Sequence, residues 1–95
     1  MPEDPPPPPR QRAAALHYEH GEHAPKVTAV GAGLVAERII EAAKQAGVPV
    51  RSDPALAEAL AKLELGTDVP EALWVAVAEA LAWAYRLDAD AAKRA

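Results

Sequence analysis

Cysteine, asparagine and phenylalanine are all missing from these 95 residues. Without cysteine there can be no disulfide, thiolate metal site or cysteine nucleophile, and the chain suits a reducing compartment. Without Phe, and with only two Trp and two Tyr, the 51% of hydrophobic residues is largely alanine and branched aliphatics, so the core must rely on small side chains at close approach. No long run of Lys or Arg occurs and the net charge is -4, which offers no track for an anionic polymer and argues against nucleic acid as a partner. The longest apolar run, Ala72 to Ala78, falls far short of a bilayer span. Met1-Pro2-Glu3-Asp4 leads into prolines rather than an apolar segment, so it is not a signal peptide. No direct membrane insertion is expected. The small hydroxyls are Ser52, Thr28 and Thr67, none beside a histidine in a nucleophile elbow. No catalytic residue, metal or cofactor is expected.

A chain of 95 residues holds one domain. At that size roughly 60 to 65 per cent of the unfolded surface is buried, which leaves little room for an enclosed active site and favours a binding surface. Composition divides the chain into a Pro-rich leader (1–11), a folded domain (12–87) and a fraying tail (88–95). Pro5 to Pro9 reads as an extended polyproline II spacer. Pro5, Pro8 and Arg10 match the spacing of a PxxPxR ligand for an aromatic groove, but any five-proline run contains that pattern, and a stiff leader is favoured.

Within the domain, Arg12 to Tyr18 and Lys26 to Val30 read as two strands of an antiparallel hairpin around a polar turn with Gly21 and Pro25. A helix is predicted from Gly33 to Ala46, with Val35, Ile39, Ala42, Ala43 and Ala46 on one side and Ala36 and Ile40 widening the stripe. Gly47 closes it, and Val48-Pro49-Val50 reads as a brief buried strand. Asp53-Pro54 is an N-cap and first helical residue for a helix to about Lys62, whose Leu56, Ala59, Leu60 and Leu63 form an i, i+3, i+4, i+7 core stripe. Glu58 and Lys62 pair on its outer face, and residues 63–66 suggest a very short edge strand. Asp68 and Glu71 have capping-box spacing for a last helix, Glu71 to Leu87, so poor in charge that it should be covered on more than one side. Its most consistent core face is Leu73, Val77, Ala80, Leu81 and Ala84. The architecture is α/β: a small mixed central sheet surrounded by helices.

Some residues could carry chemistry. His17, His20 and His23, with Glu19 and Glu22, have the types of a zinc or nickel site, but a spacing of three in a strand and turn sends successive side chains to opposite faces. A solvated turn is favoured. Gly31-Ala32-Gly33 before a helix resembles a phosphate-cradling turn, yet Ala36 stands where a third glycine would be and no Walker lysine follows, which favours a structural turn. Trp74 falls on the core side of the last helix, whereas Trp83, about 40° from Glu79 on the wheel, reaches the polar edge. Trp83 and Arg86 are therefore the candidate partner contacts, with Pro5 and Pro8 as the leader's alternative.

Taken together, Ala24-Pro25-Lys26-Val27, Gly33-Leu34-Val35-Ala36-Glu37-Arg38-Ile39, Gly47-Val48-Pro49-Val50, Asp53 to Leu60, Gly66 to Glu71 and Val77 to Leu87 closely resemble the cytoplasmic domain of the FlhB/YscU family, in unbroken order over about residues 13 to 87. The resemblance implies a small sheet surrounded by helices and a place in the inner-membrane export gate of flagella and type III secretion injectisomes, where this domain helps recognise export substrates and switch their class. In the full-length family a membrane domain precedes it.

The family also cuts itself at an Asn-Pro-Thr-His loop, the Asn side-chain amide attacking its own backbone carbonyl. That motif falls where this chain has Pro8-Pro9-Arg10-Gln11, and the chain contains no asparagine. The resemblance therefore implies a stand-alone FlhB-like protein lacking the membrane domain. It is expected to be cytoplasmic, at most peripheral at the export apparatus, and to act in protein export without catalysis or self-cleavage by binding export gate, substrates or chaperones. The alternative is a general adaptor that uses the Pro-rich leader as its ligand.

Overall fold

A computed structural model of the chain describes residues 11–94. Strands β1 (Arg12–His17) and β2 (Lys26–Ala32) pair antiparallel; α1 (Leu34–Gln45), α2 (Pro54–Ala61), a 3₁₀ turn at Glu71–Leu73 and α3 (Trp74–Arg94) follow. The hairpin turn is closed twice at Glu22, whose N–H donates to the Glu19 carbonyl at 3.1 Å and whose carboxylate accepts from the Glu19 N–H at 3.0 Å.

Side-chain alternation gives the sheet two faces. Ala14, Leu16, Val27 and Val30 face a cluster completed by Leu56 and Leu60 of α2, Val69, and Val77 of α3, with Leu63, Leu73, Trp74, Ala80 and Leu81 around it. On the opposite face Gly31 lies against Val35 and Ile39 of α1; a Cβ at Gly31 would overlap Val35 and stand 3.2 Å from Ile39 Cδ1, so only glycine lets the helix approach this closely. The α/β class, with a small central sheet flanked by helices, is the observed one. Asp53 caps α2 as expected, its Oδ1 accepting from the Leu56 N–H at 3.2 Å with Pro54 in the first turn.

Several local expectations are corrected. Residues 48–50 form no strand, and Val48 and Val50 are exposed. The Val48 N–H donates to the Ala43 carbonyl at 2.8 Å and the Gly47 N–H to Lys44 at 3.2 Å, with Gly47 at φ 75. This is a Schellman closure of α1; it uses the Val48 donor, Pro49 has none, and the segment has too few donors left for a ladder. Among the described residues the sheet is therefore two antiparallel strands rather than mixed.

Edge pairing occurs at 66–69 instead of 63–66: Gly66 N–H donates to Val27 carbonyl at 2.7 Å, Val27 N–H to Thr67 at 3.2 Å and Val69 N–H to Pro25 at 2.8 Å. That pairing holds Asp68 opposite Lys26, so the capping box does not form, and Pro70 heads an uncapped 3₁₀ turn. Glu58 pairs with Arg12 at 3.0 Å rather than with Lys62. The buried stripe of α1 is turned toward Ala36, with Ile39, Ile40 and Ala43 half-buried and Val35 and Ala42 exposed. The predicted inner face of α3 is correct, but only one side of that helix is covered: Val75, Ala78, Ala82 and Tyr85 are exposed. The helix continues to Arg94, past Leu87 where the sequence ends the domain.

Candidate functional site

The elements that hold α3 leave its outer surface presented to solvent. Trp74 anchors the base of the helix: its indole Nε1–H donates to the Val69 carbonyl at 2.7 Å, and its ring stands edge-on to His23 with centroids 6.1 Å apart. That contact ties the hairpin turn to α3 and places Trp74 against the core, as the sequence predicts. Val77, 1% exposed, fixes the next inward position. Further along, Trp83 is half-buried and Arg86 is exposed. Three residues apart, they lie on neighbouring positions of one helical surface.

Pro5, Pro8, Pro9 and Arg10 lie outside the described residues. Gln11 is exposed, and its carbonyl accepts from the Gly33 N–H at 2.7 Å, so the residue ending the motif position is fastened to the start of α1. The same bond occupies the first free donor of that helix, and the Gly31 side of the turn is filled by Val35 and Ile39. The Gly31-Ala32-Gly33 turn thus serves packing.

The histidines diverge. His17 lies between Glu19 and Glu22, at 3.4 and 3.5 Å, while His23 meets Trp74. No group of three metal-binding side chains converges among the described residues. The concavities are open: one of about 330 Å³ runs beside the Arg12–Glu58 ion pair along Val30 to Ala32, and one of about 230 Å³ lies between Gln11 and the Glu37–Lys44 side of α1. Such surfaces suit contact with another chain better than enclosure of a small molecule. Sequence reasoning missed the outer residues of α3, Val75 at 76% exposed and Tyr85 at 55%, because it assigned that helix a cover on more than one side. The signal available was the heptad spacing of Val75, Ala78, Ala82 and Tyr85.

A family model described as the FlhB HrpN YscU SpaS Family matches residues 8–84. The chain is 46% identical over 78 residues to protein YlqH of Bacillus subtilis strain 168, a match covering 81% of this chain and 84% of YlqH. It is 47% identical over 77 residues to the flagellar biosynthetic protein FlhB of Escherichia coli K12, covering 79% of this chain but spanning only 20% of that relative's length. A solved structure of a mutated EscU/SpaS C-terminal domain superposes with a TM-score of 0.75 at 30% identity, covering 79% of this chain and 95% of that domain. With its sequence matched over residues 8–84 and its fold that of a solved C-terminal domain, the chain belongs to the FlhB HrpN YscU SpaS family.

Proposed function

We propose that this chain is a noncatalytic component of flagellar or type III protein export, acting through protein contact on the cytoplasmic side of the export apparatus, without cutting itself. The observation that carries this reading is a contrast within one chain: the family match runs over residues 8–84, yet Pro8-Pro9-Arg10-Gln11 fills the position of the family's self-cutting motif and no asparagine exists to act as nucleophile. Gln11 does not replace it, because it follows the scissile position. The partner is the export gate, an export substrate or a chaperone, and Trp83 with Arg86 is the contact we assign to it; an aromatic beside an arginine is a frequent anchor of protein interfaces.

The test is co-purification of the intact chain with export-gate proteins and export substrates. Binding is expected to survive deletion of residues 2–9 and to weaken at least tenfold in Trp83→Ala. Loss of binding on deleting 2–9 would move the function to the Pro-rich leader and an adaptor role; binding to neither class of partner would overturn the export reading. Writing the motif back with Pro8→Asn, Arg10→Thr and Gln11→His, Pro9 being already in place, is expected to restore a cut after position 8.

A further inference from the structure

The outer surface of α3 carries a pattern that neither the core nor the proposed Trp83–Arg86 contact requires. Val75, Ala78, Ala82, Tyr85 and Ala89 recur in alternating steps of three and four, the a and d positions of a heptad, and all are exposed. Heptad spacing on an exposed helix makes a continuous apolar seam suited to a second helix. Its alanines allow close approach, with Val75 and Tyr85 as the larger side chains. Along one flank run Glu79 and Arg86, seven residues apart at equivalent heptad positions and both exposed. Neither makes an ion pair within the chain among the described residues.

That charge arrangement is self-complementary in one orientation. If two α3 helices cross antiparallel about a two-fold axis near Ala82, this flank faces itself, and Glu79 of each copy comes beside Arg86 of the other. Ala82 of one copy then meets Tyr85 of the second, and Ala78 meets Ala89. In a parallel pairing Glu79 and Arg86 instead face Trp74 and Leu81 of the opposite flank, which carry no charge; the charge on that flank is Asp88, beyond both. We propose that the partner of this face is a second copy of the chain, joined antiparallel through the Ala78–Ala82–Tyr85–Ala89 seam of α3 with two Glu79–Arg86 pairs across it. The contact is isologous, and so closes at two copies.

Sedimentation equilibrium on the intact chain, across a concentration series reaching millimolar, tests this. Wild type is expected to show a reversible monomer–dimer equilibrium. Glu79→Arg and Arg86→Glu each place like charges opposite one another at both ends, and each is expected to weaken the dimer about tenfold. An equimolar mixture of the two variants is expected to recover wild-type association as a heterodimer, because both crossed pairs then hold opposite charges. Ala82→Arg, with a long charged side chain at the centre of the seam, is expected to abolish association, and circular dichroism should show all three variants folded. A wild-type chain that stays monomeric, a dimer indifferent to both charge reversals, or a mixture no better than its components would each overturn the proposal.

Discussion

The hairpin with α1 and α2 and the long helix α3 are stabilised in different ways. In the first region each element is held by others distant in sequence: α1 and α2 both pack against β1, the 66–69 segment bonds β2, and Gln11 closes onto Gly33. In the second, the backbone bonds are local, and tertiary contact comes through one inner stripe centred on Val77 and the Trp74 anchor. The fold shared with the family therefore depends on the region of crossed contacts, while α3 combines an inner stripe that belongs to the core with an outer surface free of that duty. A surface under no packing constraint can carry recognition without a cost in stability.

Substitutions should separate the two regions by the size of their effect. Leu60→Ala, at a position 3% exposed where α2 meets the sheet, is expected to cost about 2–5 kcal/mol, a large share of a small domain's total, and to lower the thermal midpoint by more than about 10 °C. Gly31→Ala comes next, at about 1–3 kcal/mol: the added carbon would stand 2.9 Å from Val35 Cβ, which cannot rotate away, so α1 must shift. Asp53→Ala removes the cap of α2 and should cost about 1 kcal/mol in chemical denaturation. Val75→Ser, on the outer surface of α3, should change stability by no more than about 0.5 kcal/mol when measured in dilute solution. A Val75→Ser loss as large as that of Leu60→Ala would erase the distinction between the regions.

Much of the fold was legible in the sequence because it is encoded locally. The Asp53-Pro54 cap, the Leu56 and Leu60 stripe, the hairpin and the inner face of α3 each depend on residues a few positions apart. What could not be read was settled by competition at longer range. Val48 has the β-branched side chain of a strand residue, but its N–H closes α1 and Pro49 has none. Asp68 and Glu71 have the spacing of a cap, but burial of Val69 draws the backbone before them into pairing with β2. The apolar character of α3 suggested a helix covered on more than one side; how many sides are covered depends on how much other chain there is to cover it. The candidate contact was partly legible: Trp83 and Arg86 share one surface, while the exposed seam beside them was concealed by the assumption of a second cover.

The central claim is that the family scaffold persists here without the family's self-cutting chemistry. Intact-mass spectrometry of the purified chain after prolonged incubation at neutral pH tests it most directly. A single species at the uncut mass is the predicted result. A pair of fragments joined at any bond between residues 8 and 11 would contradict it, since no asparagine is present to make that cut.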